Sequence, residues 1–113
     1  MATGPFDRGH VVHHPAAFKS GGRPYMVLSS AATHPFHGEE YLVAGCTTTE
    51  REQAIPLPDE VWTVGQPAEP TWVSPWYLMT IKHANIEYGV GEIEPATVDQ
   101  VARAIARQVG LDV

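Results

Sequence analysis

The sequence is poor in cysteine, lysine and long apolar runs. Its single cysteine, Cys46, excludes an intramolecular disulfide, and a thiolate zinc site would have to recruit several histidines. Lys19 and Lys82 are its lysines, and 7 basic residues stand against 13 acidic ones, a net charge of -6. A molecule with that balance does not hold nucleic acid through its overall field, so any grip on a phosphate backbone must come from a local cluster of cations. No stretch approaches the ~18 apolar residues of a membrane span. Met1 to Arg8 lacks the apolar centre of a signal peptide. Internal repeats and low-complexity tracts are missing as well. A soluble, cytoplasmic chain of 113 residues is expected, one domain by length, with enough hydrophobic residues to bury a core unaided.

What is there reads as short strands followed by one helix. Residues 1–8, with Gly4 and Pro5, suggest a loose N-terminal arm, and the domain proper spans 9–113. His10 to His13 is a strand candidate ended by Pro15. Ala16 to Gly22 reads as a loop whose paired glycines permit positive φ and a close backbone approach. Tyr25 to Ser29 and Glu40 to Thr48 have strand length and composition, with Gly45 marking a bulge. Ala54 to Leu57 suits an edge strand because proline is tolerated there. Residues 58–70, with Pro58, Pro67 and Pro70, read as a long excursion. Trp72 to Ser74 and Tyr77 to Ile81 flank Pro75 as one broken strand or two short ones, and Tyr88 to Glu94 is a weak strand. Val98, Val101, Ala102, Ile105 and Val109 fall on one helical face, with Thr97 and Gln100 spaced as a capping box and Gly110 closing the helix. The expected fold is mostly β: a small barrel of five to seven strands carrying a C-terminal helix over about 98–109.

Several constellations could carry chemistry. Gly21-Gly22-Arg23-Pro24 sets an arginine just before a wholly apolar strand. Its planar fork suits a phosphate or a carboxylate ligand; the alternative is an ion pair with Glu39 or Glu40. Thr47 and Thr49, alternate residues at a strand end, would share a face and could present hydroxyls to a phosphate oxygen, or could simply serve the strand and its turn. Lys82-His83 forms a second basic patch able to join Lys19 and Arg23, with His83 chemically apt for acid–base work. Trp76 and Tyr77 could stack on bases or belong to the core or a subunit contact. The clustered His10, His13 and His14 and the pair His34 and His37 raise a zinc-dependent reading, but extended spacing points His10 and His13 to opposite faces. Cys46 reads as a buried strand residue.

Arg8-Gly9-His10-Val11-Val12 at the start of the domain, Gly21-Gly22-Arg23-Pro24-Tyr25-Met26-Val27-Leu28-Ser29, Cys46-Thr47 at a strand end and Thr80-Ile81 before a terminal helix together resemble the PemK/MazF family of toxins, over roughly residues 8–110. The segments His34 to Tyr41, Val73 to Trp76 and Thr80 to Ala84 are most similar to a haloarchaeal branch, in keeping with the scarce lysine. The resemblance implies an SH3-like β-barrel assembled as a homodimer. It also implies a sequence-specific endoribonuclease that cleaves single-stranded RNA without a metal or other cofactor, by attack of the ribose 2′-hydroxyl on phosphorus. A small antitoxin protein would be its partner, with DNA met only through the antitoxin complex. Arg23 and Thr47 match the family's catalytic arginine and threonine. His83 is added here as the acid–base group, and Lys19, Ser20, Thr49, Trp76 and Lys82 as RNA contacts. The sequence departs from the family where His10 replaces an acid after Arg-Gly, where Phe18-Lys19-Ser20 replaces Glu-Gln, and where Trp76-Tyr77 stands for an Asp-Gln pair. Those changes leave open a non-catalytic RNA- or protein-binding module on the same barrel.

Overall fold

The computed structural model describes residues 4–16 and 19–113, with the side chains of all of these except Lys19 and Ser20. Seven strands form one antiparallel sheet: β1 His10–Ala16, β2 Lys19–Val27, β3 Glu40–Thr47, β4 Ile55–Pro56, β5 Trp62–Gly65, β6 Trp72–Lys82 and β7 Tyr88–Ile93, followed by helix α1 Pro95–Gln108. Their order in the sheet is β4-β6-β3-β2-β1-β7-β5. The sheet curls into a half-barrel with β4 and β5 at its two edges, as the mostly β expectation with a C-terminal helix requires.

Both faces of the sheet are buried near its centre, because inward residues alternate with period two. One face carries Val11, Met26, Ala44, Cys46 and Val73 against Val98 and Val101 of α1. The other carries Val12, Tyr25, Val27, Tyr41, Val43 and Ile81, closed by Phe6 and Ile86. Arg23 and Thr47 have the parity of this second face, in step with Tyr25 and Val43.

Several elements differ from their sequence reading. The β1–β2 hairpin is longer than expected: β1 runs through Pro15, and Gly21, Gly22 and Arg23 lie within β2. The middle of the expected loop, Ala17 and Phe18, lies outside the described residues. Gly22 must be glycine here, since its φ is +72° and an added Cβ would meet the His14 carbonyl oxygen at 2.5 Å. Strand β5 sits inside the expected excursion and is held by pairing with β7. β6 is one strand, not two, and it crosses Pro75 by a bulge.

The helix starts earlier than the capping box suggests. Glu94 is its N-cap and Pro95 occupies the first turn, where the missing N–H costs nothing. The Thr97 hydroxyl instead donates to Glu94 Oε1 at 2.9 Å. At the other end Gly110, at φ +95°, closes the helix as expected, with Gly110 N–H donating to the Arg107 carbonyl and Leu111 N–H to that of Ala106. Val109, expected on the buried face, is exposed beyond the last turn.

Residues 4–8 are packed, in contrast to the loose arm anticipated for residues 1–8. Phe6 is buried and its N–H donates to the Tyr41 hydroxyl. Arg8 pairs with Asp99 of α1 at 2.8 Å. Residues 1–3 lie outside the described residues. No helix among the described residues is long and apolar enough to cross a membrane.

Candidate active site

The site is built where β2, β3 and β6 meet. β2 and β3 pair as Tyr25 with Gly45, Met26 with Ala44 and Val27 with Val43. Continuing that register sets Arg23 opposite Thr47, and side chains directly opposite on one face have Cβ atoms roughly 5 Å apart. Both residues line a cleft of about 390 Å³ completed by Arg51, Ser74, Trp76 and Tyr77. They also border an adjoining cleft of about 510 Å³ that includes His13, Gly22, Thr48 and Tyr88.

A bulge aims the aromatics at the arginine. Between Ala44 and Cys46, β3 takes two residue steps while β6 takes five, from Leu78 to Val73. Pro75 cannot donate to a ladder, and the surplus residues bow out, so that Trp76 and Tyr77 both reach the cleft despite being adjacent. Gly45 makes room: a Cβ there would lie 3.1 Å from the Tyr77 ring. The Arg23 guanidinium carbon then lies 5.0 Å from the Tyr77 ring centre.

Arg23 has unmet bonding capacity. Its Nε is buried without a hydrogen-bond partner, and among the described residues no carboxylate forms an ion pair with it. The alternative of a salt bridge to Glu39 or Glu40 is thereby corrected: Glu40 pairs with His34 at 3.2 Å, at the other end of β3. A half-buried guanidinium left unpaired in a chain of net charge -6 is costly unless a ligand anion completes it. Tyr25, beneath it, is fully buried, and its hydroxyl has no partner either. Burial, with the neighbouring Tyr77 phenol, pushes the Tyr25 phenol up to about 12. Burial likewise pushes the Cys46 thiol up to about 12, so Cys46 is an inert core group, as its sequence context suggests.

Thr47 is held by its own turn. Its hydroxyl oxygen accepts from the Thr49 N–H at 3.1 Å, which leaves the hydroxyl hydrogen free to donate into the cleft. Thr49 therefore contributes its backbone, and it is Thr48 whose side of the turn borders the adjoining cleft.

Lys82 and His83 are misplaced by the sequence reading. Thr47 pairs with Trp72 at one end of the β3–β6 ladder and Glu40 with Lys82 at the other. Seven residue steps of β-strand, up to roughly 23 Å, lie between. His83 instead shares a hydrogen bond between its Nδ1 and the Tyr41 hydroxyl, 2.8 Å apart, and packs against Phe6. It is a structural histidine, remote from Arg23. The side chains of Lys19 and Ser20, also expected as RNA contacts, lie outside the described residues. Arg51 was missed: it enters the cleft from the loop after β3, and nothing in the local sequence distinguishes it from a solvated surface residue. Among the described residues no three His, Cys, Asp or Glu side chains gather as metal ligands. A cleft of about 530 Å³ lies between residues 56–62 and 66–72. It is lined by prolines, two tryptophans and three carboxylates with no basic group, so the anion-binding chemistry rests with Arg23.

No family model and no curated protein matches the sequence. Solved structures do. An endoribonuclease in complex with its cognate antitoxin, from a mycobacterial species, superposes with a TM-score of 0.73 at 20% identity, covering 96% of each chain. The fold is that of the MazF-type toxins. The Mycobacterium tuberculosis toxin MazF-mt6 matches with a TM-score of 0.71 at 22% identity, over 92% of this chain and 99% of that one. MazE-MazF from Deinococcus radiodurans matches at 0.69 and 19%, over 95% and 97%. A MazF-type fold shared across nearly the whole chain agrees with the resemblance read from Arg23-Pro24 and Cys46-Thr47.

Proposed function

We propose that this protein is an endoribonuclease of a toxin–antitoxin pair, acting in the cytoplasm on single-stranded RNA. The observation that carries this reading is the unpaired Arg23 guanidinium beside the free Thr47 hydroxyl, in a cleft flanked by Arg51 and Trp76. That grouping fits a phosphodiester. Arg23 and Arg51 meet the non-bridging oxygens, where negative charge grows as the ribose 2′-hydroxyl attacks phosphorus. Thr47 donates to the same phosphate. Trp76 offers a stacking face to a neighbouring base. The products are a 2′,3′-cyclic phosphate and a 5′-hydroxyl, formed without metal because the guanidinium groups supply the positive charge.

Two partners follow from the same reading. A second copy of the chain would cover Leu42 and Leu78, apolar side chains exposed on β3 and β6. A small antitoxin is supported by the neighbours described in complex with an antitoxin or as MazE-MazF. DNA would be reached through that antitoxin complex.

The test is incubation of the pure protein with a defined RNA in EDTA, at low and at molar salt, with the new ends mapped. Discrete cuts bearing 2′,3′-cyclic phosphate support the reading. RNA protected from a second nuclease, with no product formed, would instead identify a non-catalytic binding module.

A further inference from the structure

Arginine is too weak an acid to serve as a general base in ordinary surroundings, and the histidine expected for that work, His83, lies at the far end of the sheet. The strand register supplies another. In the β1–β2 ladder His14 pairs directly with Arg23. The two side chains share a face, which the His14 ring confirms by meeting the Tyr25 ring edge-on, with centroids 5.7 Å apart and planes at 90°. His14, Arg23 and Thr47 thus form a row across three adjacent strands, imidazole on one side of the guanidinium and hydroxyl on the other. Two strand spacings, roughly 10 Å, separate the outer members, enough for one ribose–phosphate linkage to lie over the arginine.

The state of the imidazole is set by its partner. His14 Nδ1 lies 2.6 Å from the Pro15 carbonyl oxygen. A carbonyl only accepts, so Nδ1 carries the hydrogen and Nε2 of the neutral ring holds a lone pair. Nε2 has no hydrogen-bond partner among the described residues. Pro15, at the irregularity between His14 and Ala16, provides the carbonyl that orients the ring.

Resting on the ribonuclease reading above, we propose that His14 is the general base of the reaction. Its Nε2 takes the proton of the 2′-hydroxyl as the 2′-oxygen bonds to phosphorus. The bond from phosphorus to the 5′-oxygen breaks with its electron pair on that oxygen, which takes a proton from water. The imidazolium then returns its proton to the hydroxide so formed, leaving a cyclic phosphate, a 5′-hydroxyl and the starting enzyme. The row would supply a base in a chain where His10, Phe18-Lys19-Ser20 and Trp76-Tyr77 stand for the family's acidic motifs.

The experiment compares the parent with His14→Ala and His14→Gln on the same RNA. Glutamine keeps a donor for the Pro15 carbonyl but cannot accept the proton. Both variants are expected to lose kcat by about 100-fold or more. Affinity for RNA with a single 2′-deoxynucleotide at the cut site should stay within about threefold, as base catalysis is not a binding contribution. Added imidazole should restore His14→Ala at least about tenfold, because a free base can occupy the vacated volume. With a sulfur replacing the 5′-oxygen, the deficit should persist, since the base acts at the other bond. A loss below about threefold, or a loss without imidazole rescue and with weakened binding, overturns the proposal. Relief of the deficit by the sulfur leaving group also overturns it, assigning His14 to the acid role instead. If the parent itself forms no product, the ribonuclease reading fails and this assignment falls with it. A parent that cuts while His14→Ala cuts equally fast refutes the base alone.

Discussion

The guanidinium carbon of Arg23 sits 5.0 Å above the centre of the Tyr77 ring. The ring holds the fork flat and in place, through a contact of about 0.5–2 kcal/mol, and the bulge at Pro75 is what brings the ring there. Arg23→Lys keeps the charge but loses both the planar stack and the two-pronged contact to phosphate. Its cleavage rate is expected to fall by about 100-fold or more, close to the value for Arg23→Ala. Urea unfolding should place both variants within about 1 kcal/mol of the parent, since loss of the ring contact offsets removal of an unpaired buried donor. A lysine variant cutting at the parental rate would dismiss the fork from the mechanism.

Thr47 acts through one hydrogen. Thr47→Val preserves shape and β-propensity but removes the donor, along with the acceptor for the Thr49 N–H. Cleavage should slow by more than about tenfold, and Thr47→Ser should recover most of it. Single-turnover rates on a short RNA decide the matter, and equal rates for valine and threonine would take the hydroxyl out of the chemistry.

His83 makes the opposite prediction. It hydrogen-bonds the Tyr41 hydroxyl and packs on Phe6, so His83→Ala should cost about 1–3 kcal/mol of stability by leaving that phenol with the Phe6 N–H alone and by removing the packing. Its kcat should remain within about threefold of the parent. Lys82→Ala should likewise leave RNA cleavage unchanged. Loss of activity in a well-folded His83→Ala protein would return the residue to the site.

Much of the fold was legible because its causes are local. Apolar runs marked β2, β3 and β6, and the spacing of Val98, Val101 and Ile105 with Gly110 marked α1. Strand β5 was not, because its four residues are mostly exposed and exist as a strand only through pairing with β7. The site divides the same way. Arg23 and Thr47 were readable from the strands they border. His14 was not, since only the hairpin register makes it the neighbour of Arg23. His83 was misjudged because standing at a strand's end does not say which end of the barrel that is. Tyr77 reaches the arginine only through a bulge whose size depends on two strands together.

Alkaline titration tests the buried core. Cys46 is raised from 9.0 to about 12 and Tyr25 from 10.0 to about 12, both by burial. Above the unfolded values the unfolded chain releases protons that the folded chain retains, so their contribution is intact below pH 9 and is lost as the pH climbs toward 12. In Cys46→Ala the thiol's share of that loss is gone. The stability difference between parent and variant should therefore shift toward the variant by about 2.6 kcal/mol from pH 8 to pH 11, measured by urea unfolding. A gap that stays constant over that interval would mean that the thiol ionises equally easily in both states.

Arg23 and Arg51 form a cationic island in a molecule whose 13 carboxylates outnumber its basic groups. A polyanion approaching from a distance meets repulsion first and attraction only within the last Debye length or so. Moderate ionic strength quiets the distant field more than the close contact, so encounter should quicken as salt is added, before high salt loosens the grip. Such a molecule would work best at an intermediate ionic strength and be restrained in a dilute electrolyte.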